Sequence, residues 1–529
     1  MLSKIKTILR YLKPYQRHEI ENKFVELNSG LWKSEKSTRI QTNRKKEYCL
    51  VEGIIACPAS IMDKARIAKA IQQETGVQPV VYIRGFNITG SNVSHIYNSF
   101  NINHFYCWWR GFFHPKVFVP AVIATLKTML GSRSAKSLIN LNYRGVEIGD
   151  LIYDTLIRFR PNEYTVKKIE VKHLRLIFRS FLTFHNNELM LEKYNPKYLV
   201  TSHNVYAEFG MLPRQIRHHN NGIVFLKDIY AYKCYGPAIN IKEHFLKPTQ
   251  EAFLQNLHAI DFVDRAYKYF YDRLEGNVDQ IDVKNAYQNK KKYSIEQLKS
   301  IYPKVDIRKK NVVVMSHAFS DSPHVGEGLL FNDYYDFLEK TLIRLNKNRN
   351  INCFVKAHPS SYMWNEKGGV ESLIEANQLD NIYMMPVDLN TNSIADFADS
   401  IVTAKGTAGL EFSCLGIPAV TAGKGYYAGF GITLEPESVQ SYYNILDSIS
   451  GLAKLDDEVR KRALVLLYMV SLSRRHSDIL PKQHIMPHEN YNDVYLSKYQ
   501  EIIANIENNI PMRDGFYEEV IQDVVKNHD

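Results

Sequence analysis

No stretch of this chain reaches the roughly 18 consecutive apolar residues that a membrane-crossing helix needs. The best candidate, "VFVPAVIATLKTML", is interrupted by Pro120 and Lys127. The first residues lack the apolar core and small-residue cleavage site of a secretion signal, so export by that route is not expected. The six cysteines are scattered, with no CxxC pair and no spacing suited to a metal. They read as reduced thiols of a cytoplasmic protein, without disulfides or zinc. Basic residues outside the N-terminus form no stripe, which argues against nucleic acid as a partner.

What is present is size and an uneven charge. At 529 residues with 45% hydrophobic content, the chain is long enough for two or three cores. Residues 1–46 carry twelve Lys or Arg against four Glu, leaving only +3 of the formal +11 for the rest. Within "MLSKIKTILRYLKPYQR", Leu2, Ile5, Ile8, Leu9 and Leu12 recur at helical spacing, with Lys4, Lys6, Arg10 and Lys13 on other faces. A short basic helix of this kind either docks on an anionic membrane surface or packs on its own protein.

Beyond this lead (1–46), apolar runs alternate with helical periodicity. Strands are expected at 48–56, 78–84, 197–202 and 222–228, with a helix at 61–75, giving a first α/β domain over 47–245. Residues 246–304 read as long polar helices between domains. A second α/β series over 305–453 begins with "KNVVVMSH" and includes "INCFVKAHP", "IVTAK" and "PAVTA". Helices alone are expected over 454–529. Strands alternating with helices imply mostly parallel sheets, and two such domains with a cleft between them and C-terminal helices match the GT-B plan.

The stretch "GTAGLEFSCLGIPAVTAGKGYYAGFGIT" places seven glycines in 28 positions directly after a strand. Ligands of open parallel sheets bind outside the carboxyl ends of strands. Gly406 and Gly409 are expected to leave amides open to a phosphate, Thr407 to add a hydroxyl, and Glu411 to accept hydrogen bonds from a ribose. His358, Pro359 and Ser360 follow another strand of the same sheet, so the imidazole is expected to face the same crevice and act on a phosphate or a departing nucleotide. In "SHAFSDSPH", His317, Asp321 and His324 also follow a strand. They suit contacts to donor sugar or phosphate, or a divalent metal, or plain loop capping.

The motifs "VVVMSHAFSDSPH", "VKAHPSS" and "GTAGLEFSCLGIPAV" with "GKGYYAGFGIT" resemble the C-terminal half of bacterial capsule polysaccharide biosynthesis glycosyltransferases, which are similar to Kdo transferases of capsule and lipopolysaccharide assembly. The resemblance covers about residues 305–435. It implies a nucleotide-sugar donor, CMP-linked, held by His358, Pro359, Thr407 and Glu411, with no metal and no other cofactor. Where the Kdo enzymes often carry glutamine and valine, this chain has Gly406 and Thr407. The acceptor would be a surface glycan or glycolipid met at the inner face of the cytoplasmic membrane, where the basic lead would hold the enzyme. The first domain offers Glu147, Asp150 and Asp154 in "RGVEIGDLIYD" and His203, Tyr206 and Glu208 in "VTSHNVYAEFG". Asp150 is the expected acid or base, and His203 and Tyr206 the expected acceptor contacts. A nucleotide-sugar epimerase, a teichoic-acid-type polyol-phosphate transferase, and a non-catalytic assembly factor are the competing readings.

Overall fold

A computed structural model of the protein describes residues 12–32, 47–131, 134–160, 162–228, 232–275, 277, 290–364, 366–472, 477–481 and 491–528. The basic lead up to residue 11 lies outside the described residues. Two parallel sheets organise the rest. The first contains β1 (Tyr48–Gly53), β2 (Gln78–Ile83), β3 (Phe105–Cys107), β4 (Tyr198–Thr201), β5 (Ile223–Lys227) and β6 (Tyr232–Tyr235), in the order 3-2-1-4-5-6. Only β6, paired with β5, runs antiparallel. The second contains β7 (Lys310–Met315), β8 (Ile351–Lys356), β9 (Ile382–Met384), β10 (Ser400–Thr403) and β11 (Ala419–Thr421), in the order 9-8-7-10-11.

The two sheets thus repeat one strand order, the doubly wound order in which the chain reverses direction beside the first strand and opens a crevice there. In the second sheet that switch lies between β7 and its two neighbours, β8 and β10. Val312, Val313 and Val314 of β7 are buried, as a strand covered on both faces requires.

Among the helices that position these sheets are α1 (Glu19–Trp32), α2 (Pro58–Thr75), α3 (Pro115–Gly131), α4 (Gly149–Phe159), α5 (Leu174–Tyr194), α6 (Ile260–Leu274), α7 (Ala408–Cys414), α8 (Asp457–Leu472), α9 (Tyr491–Glu507) and α10 (Gly515–His528). The helix α2 starts with Pro58 and stops at Gly76, whose φ of 73° is the left-handed conformation that lets its amide bond Gln72 O at 2.9 Å.

In the segment read from sequence as interdomain, the described helix α6 packs on α8. Phe262, Ala266 and Phe270 of α6 share a core with Leu464, Leu467 and Val470 of α8. The last two helices, by contrast, cross back to the first domain. Val520 and Val524 of α10 join the core under β1 and β2, Arg66 donates to Met512 O at 2.8 Å and pairs with Asp514, and Tyr232 donates to Asp523 at 2.8 Å. A tail that returns in this way ties the two halves together, and the two Rossmann-like domains facing one cleft form a GT-B fold. Across the cleft, Tyr153 of α4 donates to Asp333, and burial raises the Asp333 carboxyl above its usual range.

Candidate active site

The carboxyl ends of β7, β8 and β10 surround a cavity of about 540 Å³. Each strand delivers a cation or an imidazole to it. After β8, His358 is fixed by two bonds: its amide donates to Ser316 Oγ at 3.1 Å, and its Nδ1 accepts the Ser360 amide at 3.2 Å. That second bond leaves the ring proton on Nε2, the nitrogen on the other edge of the ring. Ser360 is therefore a positioning group, fully buried behind His358, while Pro359 lines the cavity.

After β7, His317 stacks face to face on Tyr334, with centroids 4.0 Å apart. Its Nε2 accepts the Lys405 amide at 3.2 Å and lies 3.2 Å from Thr403 Oγ1, so Nδ1 carries the proton. Burial, with help from His358 and Lys405, holds its pKa well below the ordinary histidine value, and the ring is neutral. Asp321 lines the same cavity and is exposed.

Three cations lie beyond the sequence reading. Lys356 ends β8 and Lys405 follows β10; both are buried and line the cavity, and burial pushes each down to about 8. Lys405 Nζ donates to Val325 O at 2.7 Å. Their signal was in plain view, since "VKAHP" and "TAKGT" each place a lysine at a strand end beside a motif. The third, Arg273, comes from α6. It donates through Nε to Glu411 Oε1 at 2.8 Å and through a second guanidinium nitrogen to the same oxygen. Nothing in the local sequence marks Arg273, because only the shared packing of α6 and α7 against α8 brings it there.

The glycine-rich turn packs closely against two aromatic rings. A Cβ on Gly406 would stand 3.2 Å from the His317 ring, and one on Gly409 would stand 2.6 Å from Tyr427 Oη. Both glycines make room for neighbouring rings; Gly406 lines the cavity, and the Gly409 amide donates to Gly406 O at 3.0 Å. Tyr427 donates to Gly406 O at 2.9 Å and so holds the turn in shape. Thr407 and Glu411 do line the cavity, with the Glu411 carboxylate already engaged by Arg273. Substituting Gly409→Ala is expected to cost about 1–3 kcal/mol of stability in chemical denaturation, as overpacking does, and a Tyr427→Phe background should relieve part of it.

In the first domain, His203 lines the cavity, 3.9 Å from Asp228 and edge-on to Phe209. Tyr206 does not line it; its hydroxyl donates to Ser320 O at 3.4 Å and braces the two domains. The carboxylate of Asp150 is held on both oxygens by Arg214, at 2.6 and 2.8 Å, with Lys242 at 3.7 Å. Burial opposes its charge, but Arg214 wins and keeps the carboxyl below the usual range. A carboxylate so occupied is a poor proton acceptor, so its expected acid–base role does not fit the geometry. One turn further on, buried Asp154 accepts His324 Nδ1 at 2.6 Å and the His324 amide at 3.2 Å. Asp150 and His324 both line a second cavity of about 720 Å³, and Lys405 lines both cavities. Among the described residues, no group of three His, Cys, Asp or Glu side chains is arranged to hold a metal ion.

A GT-B fold with this cavity at the switch point of its second sheet defines the class. The family model for capsule polysaccharide biosynthesis proteins matches residues 169–444, more than half of the chain, and the chain belongs to that family. No curated protein sequence matches it. Among solved structures, it is similar to the Thermosulfurimonas dismutans KpsC β-Kdo 2,4-transferase, at 12% identity and TM-score 0.32 over 51% of this chain and 79% of that one. It is also similar to the KpsC β-Kdo 2,7-transferase of the same organism, at 15% identity and TM-score 0.30 over 50% and 79%. The UDP-GlcNAc 2-epimerase of Neisseria meningitidis, bound to UDP-GlcNAc, aligns over 91% of this chain and 100% of that one, at 10% identity and TM-score 0.21.

Proposed function

We propose that the chain is a glycosyltransferase of capsule synthesis that holds a nucleotide sugar in the first cavity and a glycan or glycolipid acceptor in the second. The observation that carries this reading is the convergence of His317, Lys356, His358 and Lys405 from three adjacent strand ends on one cavity. Two cations and two N–H donors fit the phosphate of a nucleotide, and the Arg273–Glu411 pair faces the same space to engage ribose hydroxyls. The donor is a CMP-linked acid sugar, Kdo or a relative, in keeping with the motif resemblance.

In the reaction, the bond from the sugar's anomeric carbon to the phosphate oxygen breaks and the nucleotide leaves. His358 Nε2–H donates to that phosphate as charge develops. The acceptor hydroxyl loses its proton to His324 Nε2, whose other nitrogen is held by Asp154, and its oxygen bonds the anomeric carbon. A base on the acceptor side serves inverting transfer. The basic lead, residues 1–17, docks the enzyme on an anionic membrane surface.

Offering CMP-Kdo, CMP-sialic acid, UDP-sugars and CDP-glycerol, with and without acceptor, and following nucleotide release tests the reading. Acceptor-dependent CMP release supports it. Acceptor-independent conversion of a UDP-sugar would establish an epimerase, use of CDP-glycerol a polyol-phosphate transferase, and inertness towards all four an assembly factor.

Charge gives a pH signature. Lys356 and Lys405 titrate near 8, so both are cationic below that pH and neutral above it. Nucleotide affinity is therefore expected to fall by about tenfold as pH rises from 7 to 9.5, and Lys356→Met with Lys405→Met should flatten the profile.

A further inference from the structure

Apolar side chains normally leave the surface where they can, and α3 does the opposite. Val119, Ile123, Leu126 and Leu130 are between 49% and 75% exposed, and Phe118 and Phe113 are 48% and 73% exposed. At 100° per residue, Val119, Ile123, Leu126 and Leu130 fall within one narrow stripe. Lys116 and Lys127 run along one edge of that stripe, both exposed and neither in an ion pair among the described residues.

The other edge is extended by α5. Phe118 meets Phe178 edge-on at 5.6 Å near one end of α3, while Ser134 pairs with Lys168 just beyond the other. That alignment sets the start of α5 beside the Leu126–Leu130 end, where Val171 and Leu174 are 80% and 40% exposed. Arg175 follows them, exposed and without an ion-pair partner among the described residues. The acids at the start of α5 are Glu163 and Glu170, both already paired with Lys172, at 2.9 and 2.7 Å, and beyond the end of α3 Asp336 and Glu339 share a pocket with Ser134 and Lys136.

The sequence around α3 is one-sided in charge as well. From Thr75 to Val146 the chain has seven Lys or Arg and no Asp or Glu. An isologous contact with a second copy would bring the rims of Lys116 and Lys127 together with no carboxylate from α3 to answer them. A bilayer with anionic headgroups answers both features at once, since lysines reach the phosphates while the apolar stripe enters the acyl boundary.

We propose that the exposed face of α3, with Val171, Leu174 and Arg175, docks the folded enzyme on an anionic lipid surface. This surface is separate from the basic lead and does not depend on the donor assignment. The helix lies flat on the membrane; no described helix is long and apolar enough to cross one.

Co-sedimentation of the full chain with vesicles of phosphatidylcholine alone, or with phosphatidylglycerol added, tests it. The wild type should bind the phosphatidylglycerol vesicles, and Leu126→Glu with Leu130→Glu should weaken that binding about tenfold or more. In the chain lacking residues 2–17, Lys116→Gln with Lys127→Gln should lower the preference for phosphatidylglycerol. Deleting residues 2–17 should leave the part that depends on α3. In a second measurement independent of any loss, Leu130→Trp should shift its fluorescence to the blue when phosphatidylglycerol vesicles are added. Full binding by the Glu variant, binding abolished by the deletion alone, or an unshifted tryptophan would overturn the proposal. A dimer that the Glu variant dissociates, with no vesicle binding, would assign the face to a second copy instead.

Discussion

Replacing His358 with alanine is expected to lower the turnover of donor about 10²-fold or more, with a smaller rise in KM. The argument starts from the tautomer. The Ser360 amide occupies Nδ1, so the single ring proton sits on Nε2. A proton held there is available to the leaving phosphate only as that group gains charge, so its loss should weigh on kcat more than on binding. The His358→Gln variant keeps a donor at similar reach and should recover part of the rate. Equal losses of kcat in the alanine and glutamine variants would point to a structural role for the ring instead, and steady-state kinetics on the competent donor decides between them.

The second large effect is expected on the acceptor side. Removing His324 should cut acceptor-dependent transfer by about 10²–10⁴ while leaving nucleotide affinity unchanged, because the group works only on the incoming hydroxyl. Asp154→Asn should also be costly, about 10²-fold, since Asp154 Oδ1 fixes which nitrogen of His324 carries the proton. The distinguishing readout is slow hydrolysis of donor without acceptor, which should persist in both variants. Asp150→Asn should instead lower stability, by releasing Arg214 from a buried pair. If Asp150→Asn abolished transfer in a folded protein while His324→Ala retained it, the assignment of the base would be reversed.

Much of this architecture was legible because parallel strands buried on both faces leave unbroken apolar runs in the sequence, as in "NVVVM" and "FVKAHP". The elements that escaped were β3 and β6, short segments at the sheet edges whose side chains are only partly covered. Strand order was not legible, since a run of valines carries no record of its neighbours. The same limit explains α6 and the pair α9 and α10. Helical periodicity shows that each has an apolar face but not which domain that face meets.

At the site, residues adjacent to strand ends were readable, as with His317, His358, Thr407 and Glu411 around the first cavity. Those whose role depends on a distant partner were not. Arg273 reaches Glu411 across 138 positions, and the choice between Asp150 and Asp154 turns on Arg214 and His324, each from a different part of the chain. The rings packed against the turn glycines were not legible for a related reason: bareness in sequence does not say which neighbour comes close.

The central claim is that one nucleotide sits among the strand ends of the second domain, its phosphate held by His358 and Lys405 and its ribose by the Arg273–Glu411 pair. Calorimetric titration of the full chain with CMP, repeated for His358→Ala, Lys405→Ala and Arg273→Ala, tests it most directly. The account predicts one-to-one binding that each substitution weakens by about tenfold or more at pH 7. Binding of the same strength in all three variants would contradict it.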